Sequence, residues 1–293
     1  MDISFLIVTR QRADDLRVTL SKLKTLIGED EKSEVLVYID GCQETKSLIK
    51  EFNWVHWTFS NKSVSASPAR AILYKKAKGT ILVGLDDDAH PISEDFINQL
   101  KATFANNTKV GIIAFQEVRG LFNSDDTALE HSKEADAYIT NDFIGCGFAI
   151  KNEVYKKIKG FPVWMNIYGE ESAVALEVLN NQYDILYYPE LKVNHRIDVE
   201  ARKKRGRNYF RFENQLRNTI RYYLVYYPNP IYKIAKTLFH NFKKYAIKDP
   251  RYFKSYVKIV FSTLFFIFSL FKYRNTVKQE TIVKRNQLKP LQY

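Results

Sequence analysis

The chain has 293 residues, of which 45% are apolar and 27% charged; that balance suits a folded protein with a sizeable core and excludes disorder as its organising state. Its formal net charge of +12 is unevenly placed: residues 1–195 carry 22 Lys/Arg against 28 Asp/Glu, net −6, and the remainder carries 23 against 5, net +18. An acidic body with a basic tail points to a polyanionic partner for the tail, a membrane surface or a nucleic acid, and says little about fold.

The opening MDISFLIVTRQR has an acid at its second position and a short apolar run, so no signal peptide is expected. Within it, ISFLIV (residues 3–8) reads as a strand buried on both faces. A helix follows, with Leu16, Leu20 and Leu23 on one side and Arg17, Lys22 and Lys24 on the other. VLVYID (35–40) is a second strand, HWTFS (56–60) a weaker third and TILVGLD (80–86) a fourth. Ahead of the fourth, SPARAILYKKAKG offers Ser67 as N-cap, Pro68 as first helical residue and Gly79 as stop. The alternation predicts an α/β fold with a mostly parallel sheet and helices on both faces. Ligands of such sheets sit beyond the carboxyl ends of the strands. Those ends carry Thr9, Asp40, Asn61 and the acids Asp86, Asp87 and Asp88.

The acids end the run ILVGLDDDAHP (81–91). If the chain stays extended, Asp86 and Asp88 project to one side, where two like charges repel unless water or a cation compensates them. Cys42 and Cys146 form no disulfide framework or zinc pattern and fit a reducing compartment. IGCGFAIKNEVYKKIKGF reads as strand, turn and short helix, with Gly145 and Gly147 allowing close backbone approach. WMNIYGEESAVALEVLNNQYDILYYPELKVNHR then predicts a loop, a helix and two short strands. Glu170 and Glu171 fall in that helix's first turn, where acids also serve as plain dipole partners.

After residue 200 the composition turns to Lys/Arg, Tyr and Phe, and the chain divides into a body (1–200) and a basic, aromatic helical region (201–293). The run RKKRGRNYFRFENQLRN is placed to close over an anionic donor or lipid diphosphate, or is simply a solvated face. Ile231, Ile234, Leu238, Phe242 and Tyr245 recur at helical spacing with Lys233, Lys236, Lys243 and Lys244 mainly off that stripe, predicting a basic amphipathic helix at a membrane interface, or one that packs on the body. VKIVFSTLFFIFSLF (257–271) is shorter than the ~20 residues a span requires, so it reads as interfacial or docked on the body.

The order TRQR after a strand, IDG after the next, Arg70 in a helix, LDDDAHP, GEES and finally VNH resembles the family 2 glycosyltransferases, inverting enzymes of the GT-A fold, over about the first 195 residues. RNTIRYYLVYYPNP further resembles the Arg-Asn helix of bacterial members acting on surface polysaccharides. The resemblance implies a nucleotide-diphospho-sugar donor, with UDP or dTDP favoured, and a saccharide or lipid-linked acceptor. It implies Mn²⁺ or Mg²⁺ held by Asp88 and His195, with Asp86 and Asp87 at the donor, Thr9, Asp40 and Arg70 recognising the nucleotide, and Glu171 as base, or Glu170 if the register shifts by one. Without the resemblance, His195 is an ordinary half-buried histidine and Arg70 a solvated arginine. A cytoplasmic protein at the inner face of an anionic membrane is expected, with no nucleic-acid partner. A nucleotidyltransferase would want a glycine-rich loop after the first strand, which TRQRADDL lacks; a nucleic-acid-binding protein would leave the acidic edge unexplained.

Overall fold

The computed structural model describes residues 1–29, 31–204 and 206–292. The chain runs β1 (Ile3–Thr9), α1 (Ala13–Ile27), β2 (Ser33–Asp40), α2 (Leu48–Glu51), β3 (His56–Ser60), α3 (Ala66–Tyr74), β4 (Ile81–Asp86) and β5 (Ala89–Pro91). It continues through α4 (Phe96–Asn106), β6 (Val110–Arg119), α5 (Asp125–Glu130), β7 (Tyr138–Thr140), β8 (Gly147–Lys151), α6 (Asn152–Tyr155), α7 (Glu170–Asn180) and β9 (Asp184–His195). Five helices follow: α8 (Val199–Lys204), α9 (Tyr209–Tyr226), α10 (Pro230–Lys244), α11 (Pro250–Leu270) and α12 (Gln279–Gln287).

One sheet holds all the strands, in the order β3-β2-β1-β4-β8-β6-β9-β5, with β7 also on β9. Its first four strands are parallel, as the both-face burial of β1, β2 and β4 predicts, with half-exposed β3 at the edge. The second half is mixed, because β8 runs antiparallel to both β4 and β6 while β9 is parallel to β6. Alternation along β1 sends Phe5 and Ile7 into one core with Leu16, Leu20 and Phe96, and Leu6 into the other with Leu73, Phe148 and Val178.

Three local expectations change. The third helix starts at Ala66 and ends at Tyr74; Ser67 is inside it, its hydroxyl donating to Pro162 O, and Gly79 lies beyond it, where a Cβ would meet Ser4 N at 2.6 Å. The two short strands of the YYPELKVNH segment are one strand, β9, whose ladder with β6 slips between Phe115 and Gln116, opposite the stretch where Pro189 has no N–H to give. Segment 257–271 lies, all but its last residue, within a longer helix, α11, which begins seven residues earlier on an Asp249 cap accepting from Arg251 N and Tyr252 N.

The boundary at residue 200 is crossed by packing. Tyr222, Val225 and Tyr226 of α9 join Val277 and Ile282 against Met165 and against Ala173 and Leu176 of α7. The chain end returns to the body, Thr140 donating to Lys289 O and Lys284 pairing with Asp184 at 2.7 Å. Ile234, Leu238 and Tyr245, read as membrane-facing, instead cover Phe212, Leu216 and Tyr252. Ile231 of the same stripe stays exposed, as do Tyr232 and Phe239 on α10 and Phe253, Phe261, Phe265, Phe266 and Phe268 on α11. Among the described residues no single helix is long and apolar enough to cross a membrane; Pro250–Thr263 and Phe265–Tyr273 reach that measure only together, bent by 54°. Arg205 of the RKKRGR run lies outside the described residues.

Candidate active site

β4 ends at Asp86, the chain turns at Asp87 and Asp88, and β5 then pairs antiparallel with the end of β9, setting Ala89 opposite His195. That pairing delivers a histidine from 107 positions further along the chain to the acids. His195 Nε2 lies 3.2 Å from Asp88 Oδ1, and its Nδ1 is bonded to Glu117 Oε1 on β6. Glu117 thus fixes the ring so that Nε2 faces the acids, a common support for a metal-binding histidine. Arg12, in the loop after β1, bridges Asp87 Oδ1 at 3.0 Å and Asp88 Oδ2 at 2.5 Å. Thr9 Oγ1 donates to Asp87 Oδ2 at 2.8 Å, and Thr19 Oγ1 to Asp87 O at 2.8 Å. Arg196 locks the turn from behind, donating to Thr19 Oγ1 at 2.6 Å and Asp15 O at 2.9 Å.

The charges divide within this turn. Burial pushes Asp87 up to about 7, against the pull of Arg12. Burial also works against the Asp88 charge, but the close contact and charge of His195, with Arg12, outweigh it and hold Asp88 below the usual carboxylate range. Burial opposes the His195 cation too, and is outweighed by Asp88, Cys146 and Glu117, which hold it up to about 12.

Asp86, Asp88 and His195 each offer a ligand atom within 4.8 Å of the others. The ion pair leaves buried Asp88 Oδ1 without an aligned hydrogen bond, an orphan acceptor that a cation would satisfy. Two carboxylates and a histidine that gives up its Nε2 proton on binding suit Mn²⁺ or Mg²⁺, so the residues fit such an ion. A second grouping, Glu117, Cys146 and His195, shares the histidine, but burial pushes the Cys146 thiol up to about 12 and keeps it neutral.

Arg70 connects these acids to the first turn of α7. It is buried and pairs with Asp86 at 2.8 Å, Glu171 at 2.8 Å and Glu170 at 3.3 Å. A Cβ on Gly145 would stand 2.5 Å from Glu171 Oε1 and 2.8 Å from an Arg70 nitrogen, so the pair packs directly on bare backbone. Tyr168 and Gly169 both take positive φ, 74° and 99°, to bring the chain into α7. Asn218 of α9 holds that bend, donating to Ile167 O at 2.8 Å and Tyr168 O at 2.9 Å. The Arg-Asn helix therefore positions the glutamates. Burial first, then Glu171, raises Glu170; burial likewise raises Glu171, against Arg70. The two differ in access: the Glu170 side chain is 3% exposed with Oε2 unpartnered, and that of Glu171 is 19% exposed.

The fold thus gathers Thr9, Arg70, Asp86, Asp87, Asp88, Glu170, Glu171 and His195 along one sheet edge. Asp40 stands apart from the cluster, its carboxylate accepting from Ser63 Oγ, Val64 N and Ser65 N, which holds the loop into α3. Sequence reading missed Arg12, Glu117 and Arg196, and singled out the Arg-Asn helix without assigning Asn218 its place under the α7 bend. Arg12 had a signal in its place three residues past a strand end; Glu117 and Arg196 had none short of the strand pairing.

No family model matches the chain. An uncharacterized protein of Haemophilus influenzae is 28% identical over 179 residues, 55% of this chain and 92% of its own length. Among solved structures, GalNAc-T7 with UDP, GalNAc and Mn²⁺ superposes with a TM-score of 0.60 at 16% identity, covering 80% of this chain and 49% of that one. The mannosyltransferase PcManGT from Pyrobaculum calidifontis, in complex with GDP-Man and Mn²⁺, gives 0.57 at 16% identity over 89% of this chain and 74% of that one. S. aureus TarS 1–349 gives 0.56 at 12% over 84% and 73%. The chain spans about half the length of the GalNAc-T7 chain it matches. Its fold is that of the GT-A glycosyltransferases.

Proposed function

We propose that the chain is an inverting, metal-dependent glycosyltransferase of family 2 type, which moves a sugar from a UDP- or dTDP-sugar to a hydroxyl of a saccharide or lipid-linked acceptor. One observation carries the reading: a hard-cation ligand set and a partly accessible glutamate share one sheet edge, joined through Arg70. Asp86, Asp88 and His195 would hold Mn²⁺ or Mg²⁺, which when bound neutralises a donor diphosphate and the charge growing on its leaving oxygen. Arg12, already on Asp87 and Asp88, supplies a guanidinium to the same diphosphate region.

Glu171 takes the proton of the acceptor hydroxyl as its oxygen attacks the anomeric carbon. A single displacement there inverts the configuration. Arg70 sets the direction of the Glu171 carboxylate, and Glu170, closed off behind it, positions Arg70. A role in surface polysaccharide synthesis at the cytoplasmic face of an anionic membrane accords with the basic charge of the last hundred residues and the phenylalanines exposed on α11.

The test is thermal shift of the full chain with UDP, dTDP, GDP and CDP, with and without Mn²⁺. A uridine or thymidine diphosphate should raise the melting temperature only with Mn²⁺, and Asp88→Asn should abolish the rise. No Mn²⁺-dependent nucleotide effect, or a transfer product of retained anomeric configuration, would overturn the reading.

A further inference from the structure

A second concave site lies away from the metal acids. It is a cavity of about 610 Å³ on the α3 and α7 side of the sheet, and none of Asp86, Asp88, Glu170, Glu171 or His195 lines it. Its wall carries Lys75 from the end of α3, Lys156 and Lys159 from the loop after α6, and Lys272 from the turn that ends α11. All four lysines are exposed, and among the described residues Lys75 and Lys156 form no ion pair. Tyr155, Phe161 and Trp164 supply apolar wall between them. Among the described residues the one carboxylate in the wall, Glu177, is buried and occupied: Tyr226 Oη donates to it at 2.7 Å and Lys159 N at 2.5 Å. The cavity therefore presents net positive charge over an aromatic floor.

Its position gives the charge a context. Lys272 follows directly on the most exposed aromatic stretch of the molecule, where Phe265 is 81% and Phe268 78% exposed and Phe266 and Phe271 are also open. A soluble surface seldom carries so many contiguous phenylalanines, whereas an interfacial helix seats them at the level of the lipid headgroups. A rim of lysines beside such a helix stands at headgroup depth, where phosphate is the available anion.

We infer that this cavity is a binding site for the phosphate headgroup of an anionic membrane lipid, engaged when the aromatic end of α11 inserts. The inference rests on the membrane part of the proposed function and not on sugar transfer. The phenylalanines supply insertion that does not distinguish lipids, and the cavity supplies selection for anionic ones.

Two assays on the full chain separate these parts. In the first, Trp164, in the cavity wall, reports occupancy by fluorescence, with Trp164→Phe as the blank. Soluble dihexanoyl phosphatidic acid should change the signal at concentrations at least about tenfold below those of inorganic phosphate, and Lys75→Gln/Lys156→Gln/Lys159→Gln should remove the response. Equal response to inorganic phosphate would replace the lipid by a free phosphate and overturn the assignment, as would an unchanged response in the triple variant. In the second, sedimentation with phosphatidylglycerol vesicles should exceed that with phosphatidylcholine vesicles. The triple variant should lose that excess while keeping its phosphatidylcholine binding, and Phe265→Ser/Phe268→Ser should lose both. If Lys243→Gln/Lys244→Gln on α10 removes the excess equally, the attraction is diffuse and the cavity has no part in it. A response to the soluble lipid without any vesicle binding would refute the membrane reading and leave the cavity assignment standing.

Discussion

Arg70→Met removes the cation shared by three carboxylates, and the structure sets what that should cost. Orphaning a buried charge costs ~3–5 kcal/mol. Asp86 contributes little to this, because its side chain is 36% exposed and water screens it. Glu170, at 3% exposure, is raised by burial and by Glu171, so it meets the loss by holding a proton. Glu171, at 19%, is the charge left uncompensated. The lower end, about 3 kcal/mol near neutral pH, is therefore expected.

The pH dependence discriminates this from lost packing over Phe161, which Arg70 also covers at 5.5 Å. A glutamate whose folded value is raised contributes stability that is present below its unfolded value, about 4.3, and lost as pH rises through the folded value. Without Arg70 the folded values of Glu170 and Glu171 rise further, so the variant should fall progressively behind the parent as pH rises. Urea unfolding of both proteins in metal-free buffer should show a deficit of about 3 kcal/mol at neutral pH that shrinks below about 1 kcal/mol near pH 4. An equal deficit at both pH values would mean that packing, not charge, is what Arg70 supplies, and the linkage between the acids and α7 would be wrong.

Glu171→Gln should lower turnover by ~10²–10⁴-fold while nucleotide binding with Mn²⁺ is kept; if it stays active while Glu170→Gln is dead, the base is Glu170. Gly145→Ala should cost little stability, since the added Cβ meets only side-chain ends at 2.5 and 2.8 Å, yet displacing Glu171 should reduce turnover by up to ~100-fold; unchanged turnover would show that Glu171 is not held in reacting position there. A chain ending near residue 228 should melt markedly lower, because it strips buried Val277 and Ile282 from α7 at ~1.5–3 kcal/mol each; an unchanged melting temperature would mean that α12 is not part of the body. Phe265→Ser/Phe268→Ser is the cleaner test of membrane contact, since both side chains are exposed and their loss should leave the melting temperature unchanged while vesicle binding falls.

The strands of the first half and the acids at their ends are legible in the residue order alone. Strand β4 and the residues after it follow from a β-branched apolar run stopped by charge, and strand β3 falls on HWTFS residue for residue. Period and composition are local properties, so they survive without a fold to refer to. What the tertiary structure alone decided is which charges meet. Arg12 and Asp88 are 76 residues apart, Arg70 and Glu171 101, His195 and Glu117 78. Nothing local selects among 45 cations and 33 acids; the register of β9 against β6 brings His195 to Glu117, and the seating of the β1–α1 loop and of α3 brings Arg12 to Asp88 and Arg70 to Glu171. The same holds for the tail, where the stripe of Ile234, Leu238 and Tyr245 is amphipathic whether it faces lipid or protein. Apolar area is non-directional, so only the presence of α9 and α11 at packing distance settled that the stripe faces protein and left the phenylalanines of α11 exposed.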